Sequence, residues 1–157
     1  MRILYQRELF DAFYLEALPL LERHRLEIAH FPDIPLDVDT DRYRNAEQAG
    51  VLRIYTARLN HGPSGPLTLI GYAVFLLQHN PHYQSSLQAV EDVLYVDPDQ
   101  RRGRTGIELI RFSEAALKRE GVQAVYHHVK LAHPTLGILL AKEGYESIET
   151  IYVKRIG

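Results

Sequence analysis

Apolar residues recur at spacings near three and four between Glu8 and Ala29, where Phe10, Phe13, Ala17, Leu18 and Leu21 form one stripe. That period predicts an amphipathic helix. Pro19 falls inside it, lacks an N–H and predicts a break, with Pro19 opening a second helical piece. Phe31 to Asp39 carries Pro32 and Pro35 and reads as loop. Asp39 or Thr40 is suited to cap a short helix over Asp41 to Ala49, and Gly50 to end it.

The period then changes from helical to extended. Val51 to Leu59 and Leu67 to Leu77 are rich in β-branched and aromatic residues and read as strands. The intervening Asn60 to Pro66, with two glycines and two prolines, is a hairpin loop. Gln78 to Ser86, containing His79, His82 and Tyr83, reads as a polar loop. Leu87 to Val96 is a third strand, which Asp97-Pro98 terminates.

Arg104 to Glu120 is a helix with Gly106, Leu109, Ile110, Ser113, Ala116 and Leu117 on one face, stopped by Gly121. Val122 to Val129 follows as a strand, His133 to Glu143 as a shorter helix ending at Gly144, and Tyr145 to Ile156 as a final alternating strand. The order is helices, an antiparallel meander, then strand–helix–strand–helix–strand. The crossover helix requires the strands on either side of it to run parallel. The fold class is therefore α/β of the α+β type: a mixed, mostly antiparallel central sheet flanked by helices.

At 157 residues, 46% hydrophobic and 24% charged, the chain is expected to form one domain, residues 1–157, with a sizeable core. The absence of cysteine excludes disulfides, thiolate metal sites and cysteine nucleophiles, and suits a cytoplasmic protein. The net charge of -2 gives no general reason to expect a nucleic-acid partner. No membrane association is expected, since the longest apolar stretch, Ala73 to Leu77, is far too short to span a bilayer.

The chemistry concentrates where the third strand meets the long helix. Arg101-Arg102-Gly103-Arg104-Thr105-Gly106 brings three arginines and two glycines to a helix start. Unpaired N–H groups and the positive end of the dipole attract anions there, and small residues let a phosphate approach the backbone.

Val93 to Ile110, with its strand, Pro98 turn and Arg101-to-Gly106 helix start, resembles the acetyl-CoA-binding motif of the GNAT superfamily of N-acetyltransferases. Gly144-Tyr145 is similar to the Gly-aromatic pair after the family's fourth helix. Two departures stand out: Arg104 occupies a usual glycine position, with Gly103 one place earlier, and the fourth helix has Leu139-Leu140 where the family often has a Tyr. The resemblance implies that acetyl-CoA is the cosubstrate and that a primary amine attacks its thioester directly. It implies that Arg102, Gly103, Arg104, Thr105, Gly106 and Ile107 hold the diphosphate through backbone N–H groups. Arg101 joins them as a phosphate contact, Leu94, Tyr95 and Val96 pair with the pantetheine arm, and His133 stands in for a helix-start Asn. It also allows a homodimer through the terminal strand.

Glu91 and Asp92 precede the cofactor strand and face opposite sides of it. Glu91 is the preferred general base, with Asp92 orienting substrate or supporting the strand. Tyr83 or Tyr95, or a water, is a candidate proton donor in place of the missing Tyr, and Tyr83 is also a candidate substrate contact. Glu27, on one face with His24, is a candidate amine ligand, set against an ordinary Arg23–Glu27 pair on a solvated face. His128 is a candidate cleft residue. His127 and His128 point to opposite sides of a strand and make a poor chelating pair, so no metal site is expected. The acidic residues Glu27, Asp33, Asp37, Glu91 and Asp92 favour a cationic small-molecule or peptide amine. The absent Tyr leaves a noncatalytic acyl-CoA-binding module as the alternative. A nucleic-acid-modifying enzyme, resting on Arg101 to Arg104 and Lys154-Arg155, comes after it.

Overall fold

A computed structural model describes residues 2–157. Five strands form one sheet in the order β1-β2-β3-β4-β5: β1 (Arg2–Glu8), β2 (Leu52–Asn60), β3 (Leu67–Asn80), β4 (Tyr83–Val96) and β5 (Ala124–Tyr126). The first four run antiparallel to their neighbours, and β4 and β5 run parallel, as the crossover helix between them demands. Two helices precede β2, α1 (Phe10–Ile28) and α2 (Thr40–Gln48), and two follow β4, α3 (Thr105–Arg119) and α4 (Thr135–Lys142).

The alternation along each strand sorts the core into two layers. Leu52 and Ile54 of β2, Tyr72 and Val74 of β3, and Tyr95 of β4 pack against Phe10, Phe13, Ala17 and Leu20 of α1. On the other face Tyr55, Ala73, Phe75, Ala89 and Val96 pack against Leu109 and Leu117 of α3. Full burial of each Phe or Leu in these layers contributes about 1.5–3 kcal/mol. Gly71 lets β3 and β4 close at the end of the sheet, because a Cβ there would lie 3.0 Å from the Tyr95 carbonyl oxygen.

Four expectations need correction. Helix α1 runs through Pro19 without a break. The carbonyl that Pro19 leaves unbonded belongs to Leu15, which is 77% exposed, so water can satisfy it while Phe13, Ala17 and Leu20 hold both halves on the sheet. Arg2 to Arg7, given no element, form the edge strand β1 together with Glu8, which was expected to open the helix. The loop expected over Gln78 to Ser86 is mostly strand, with the β3–β4 turn at Pro81-His82. The final strand expected over Tyr145 to Ile156 is absent: Ile148, Ile151, Tyr152, Val153 and Ile156 are exposed and the segment joins no ladder. Alternating sequence supplies a sidedness but not a neighbour to bond.

Other elements differ only in extent. The strand after α3 is three residues long, and α4 starts at Thr135 with Pro134 as its cap. Asp39 caps α2 by accepting from the Arg42 N–H at 2.9 Å, and Gly121, at φ 88, turns the chain out of α3.

Candidate active site

Strand β4 pairs with β5 only over Gln88 to Val90, opposite Ala124 to Tyr126. Beyond that point β5 ends, while β4 continues to Val96. The β5-side edge of β4 from Glu91 onward therefore carries no ladder, and its backbone polar groups are available to a ligand. A bulge marks the start of this edge. Glu91 pairs with Phe75 and Val93 with Val74, leaving Asp92 without a partner.

The open edge leads directly to the start of α3. Asp97 accepts from the Asp99 N–H at 3.1 Å, shaping the turn that follows β4. Arg102, Gly103 and Arg104 are exposed, and Gly103 sits at φ 116, a conformation that favours glycine. No side chain caps α3, and the Glu108 N–H bonds the Arg104 carbonyl at 2.9 Å. The N–H groups of Thr105, Gly106 and Ile107 thus stand at the positive end of a 15-residue helix. A Cβ on Gly106 would meet only a Val96 methyl at 3.9 Å, so the space in front of it is not needed for packing. These features fit a diphosphate with an arm lying along β4.

The bulge sends two neighbouring carboxylates to opposite layers. Glu91 is buried and accepts a hydrogen bond from His127 Nδ1, one rung beyond the last β4–β5 pair. The His127 ring lies between Phe75 (centroids 5.6 Å apart) and Tyr145 (5.1 Å), and the Tyr145 hydroxyl donates to Glu114 of α3 at 2.5 Å. Burial, and then Glu114, raise the Tyr145 phenol well above its usual pKa. On the α1–α2 side the Tyr43 hydroxyl donates to Asp92 at 2.5 Å. Burial and this carboxylate hold the Tyr43 proton firmly in place.

No protein-family model matches the sequence, and no curated protein matches it. Solved structures do. An aminoglycoside acetyltransferase from an uncultured soil metagenomic sample, in complex with sisomicin, superposes with TM-score 0.73 at 13% identity, over 99% of this chain and 97% of that one. A ribosomal-protein-alanine N-acetyltransferase from Brucella melitensis biovar Abortus 2308 gives 0.71 at 18% identity, over 99% and 100%. A predicted acetyltransferase from Clostridium acetobutylicum, with acetyl-CoA, gives 0.70 at 13%, over 98% and 96%. The chain has the GNAT acyltransferase fold.

Within this GNAT fold the residues singled out from sequence do not all come to one place. Leu94, Tyr95, Val96, Arg102, Gly103, Arg104, Thr105, Gly106 and Ile107 lie together along the open edge and helix start. Arg104 spends its guanidinium on Glu108 at 2.9 Å. Glu27 and Arg101 come together but bind each other, with both carboxylate oxygens 2.9 Å from Arg101 Nη2. Arg101 also donates to the Val96 carbonyl at 2.7 Å and covers the Tyr95 ring, so it ties the end of α1 to the end of β4. The expected Arg23–Glu27 pair does not form; Arg23 binds Asp97 at 2.7 Å.

His128 is exposed and lines a groove of about 370 Å³ with Gln78, Gln88, Tyr126 and Glu149, on the sheet face that Asp92 shares. His133 is exposed two residues before α4, its N–H bonded to the Lys130 carbonyl at 2.8 Å.

Tyr83 lies elsewhere. It is 68% exposed at the tip of the β3–β4 hairpin, opposite Asn80. It lies eight residue steps along β4 from Glu91, about 26 Å at strand rise, so it cannot serve a reaction at the bulge. The same strand extension carries His79 and His82 away with it.

Two residues escaped the sequence reading as site groups. Tyr43 reads as a helix position with no chemistry until α2 docks beside β4. His127 has a signal in retrospect: aligning the parallel β4 and β5 puts it beside Glu91, two polar residues on an otherwise apolar face.

Proposed function

We propose that this protein is an acetyl-CoA-dependent N-acetyltransferase that moves an acetyl group to a primary amine by direct attack on the thioester. The observation that carries the reading is the continuity between the uncapped start of α3 at Gly103 to Ile107 and the unladdered edge of β4 from Glu91 to Val96. The N–H groups of Thr105, Gly106 and Ile107 hold the diphosphate. The backbone of Leu94, Tyr95 and Val96 pairs with the pantetheine arm, which aims the thioester at the bulge.

Asp92 takes the base role in this reading, and Glu91 does not. Asp92 stands on the face that holds the polar groove, with Tyr43 fixing its orientation. Glu91 is 5% exposed and committed to His127. The amine enters from the α1–α2 side through the groove lined by Gln88, Tyr126, His128 and Glu149. Positioning and proton removal are then the enzyme's main contributions. The solved aminoglycoside and ribosomal-protein-alanine acetyltransferases with this fold favour an amine acceptor, small-molecule or peptide.

Calorimetric titration with acetyl-CoA, followed by thiol-release assays over a panel of polyamines, amino sugars, amino acids and peptides, tests the reading. Saturable binding and amine-dependent thiol release are expected. Lack of binding at high micromolar concentration overturns it. Binding without turnover would favour the noncatalytic module, which Leu139 and Leu140 in place of a proton-donating Tyr recommend as the second reading.

A further inference from the structure

We propose that His127, oriented by Glu91, is the proton donor to the thiolate that leaves when acetyl-CoA is cleaved; this rests on the acetyltransferase reading above. Direct attack on a thioester makes two demands. The amine must lose a proton on one side, and the sulfur must gain one on the other. Asp92 stands on one face of β4, and the Glu91–His127 pair on the opposite face.

The pair occupies the point where β4 and β5 part. Val90 faces Tyr126 in the last rung of the ladder, and Glu91 and His127 are the next residues on each strand. Backbone pairing stops there and a side-chain hydrogen bond takes its place. Both groups are buried, with side-chain exposures of 6% for Glu91 and 2% for His127. A carboxylate is acceptor-only when ionised, so Nδ1 carries a proton and donates it.

The other ring nitrogen is the informative atom. His127 Nε2 is buried and has no hydrogen-bond partner among the described residues. An unpaired imidazole nitrogen away from water is costly to keep, and such atoms are rare in folded proteins. The ring cannot swing to find a partner, because Phe75 and Tyr145 flank it edge-on and Glu91 holds Nδ1. The arrangement leaves one fixed, unpartnered nitrogen on the residue that follows the last β4–β5 rung. Tyr145, the aromatic neighbour, is not an equivalent donor, since its hydroxyl already donates to Glu114.

The step balances. The amine nitrogen bonds to the carbonyl carbon, the C–S bond breaks, and its electron pair departs on sulfur. Nε2–H passes its proton to that sulfur. The amine proton leaves through Asp92 to water, and His127 regains a proton from water, so CoA leaves as the thiol. As chemical classes, an imidazolium is a stronger acid than a thiol, so it is a competent donor to a leaving thiolate. This assignment also accounts for a fourth helix that carries Leu139 and Leu140 where a donor Tyr would stand.

The test uses the full chain. In His127→Gln, kcat with acetyl-CoA is expected to fall about 100-fold, with the calorimetric Kd for CoA within a factor of about two of the parent. A second readout needs no turnover: the thiol pKa of bound CoA, followed by thiolate ultraviolet absorption against pH. The imidazolium beside the sulfur should hold that pKa about one unit or more lower in the parent than in His127→Gln. Glu91→Gln, which preserves shape, should move it the same way and serves as the decisive variant if His127→Gln fails to fold. An unchanged kcat, or an identical thiol pKa in parent and variants, overturns the proposal while leaving the acetyltransferase reading intact. A parent that does not bind acetyl-CoA overturns both.

Discussion

Glu91 and Asp92 are adjacent in the chain yet belong to different layers of the molecule: Glu91 bonds His127 on the α3 side, and Asp92 bonds Tyr43 on the α2 side. The bulge opposite Phe75 and Val74 separates them at the point where β4 loses its β5 neighbour. The same point thus presents a carboxylate to solvent on one face and a buried carboxylate–imidazole pair on the other.

If Asp92 receives the amine proton, Asp92→Asn should lower kcat by about 100-fold to 10,000-fold with acetyl-CoA binding unchanged. Tyr43→Phe removes only the orienting hydrogen bond and should cost roughly tenfold. Thiol-release kinetics beside calorimetry on each variant check both. A retained kcat in Asp92→Asn would remove Asp92 from the mechanism.

Gly106 faces open space apart from a Val96 methyl. If the helix start holds the diphosphate, Gly106→Glu is expected to fold, as read by circular dichroism, and to lose acetyl-CoA binding, because bulk and negative charge enter that cradle. Gly106→Ala should keep the fold and weaken binding less. Parent-like affinity in a folded Gly106→Glu would contradict the placement.

Arg58 is the principal buried charge of the α1 layer. It is 6% exposed and binds Glu8 at 2.6 and 2.8 Å and Glu16 at 2.9 and 3.1 Å. Arg58→Met leaves Glu8 buried without its counter-charge, a loss of about 3–5 kcal/mol. At about 2–4 °C per kcal/mol for a chain of this size, Tm should fall by roughly 6–20 °C. Removing the buried carboxylate as well, in Arg58→Met with Glu8→Leu, should recover much of the loss. Thermal melts of the three proteins decide it.

His24 packs against Tyr95, and burial lowers its pKa from 6.5 to about 4. Between those values the unfolded chain binds the proton and the folded chain does not, so stability rises with pH across this window. It should be fully present above pH 6.5 and lost as pH falls toward 4. The contribution is on the order of 1–2 kcal/mol once solvent screening of a partly exposed ring is allowed for. His24→Gln should flatten this part of the curve of denaturation midpoint against pH. An unchanged slope would show that other groups set it.

Elements with strong local patterns were legible from sequence. The stripe of Leu109, Ile110, Ser113 and Leu117 with Gly121 behind it marks α3, and Asp39 and Gly50 bracket α2. The glycine-containing start of α3 was legible because its cause is local: turn residues followed by a helical period. The partners of the site residues were not legible. Arg101 reads as a phosphate ligand until α1 brings Glu27 to it, and Tyr83 reads as a site residue until β3 and β4 extend and carry it off.

The sequence by itself determined the order of elements from α1 to α4, the parallel step around α3 and the position of the uncapped helix start, because period, turn chemistry and handedness act over a few residues. Only the tertiary structure decided which side of β4 each carboxylate serves, that His127 stands beside Glu91, and that the last alternating segment stays unpaired. Those outcomes depend on one extra residue in a bulge and on where β5 stops. A one-residue shift reverses every facing side chain while leaving the hydrophobic pattern nearly unchanged.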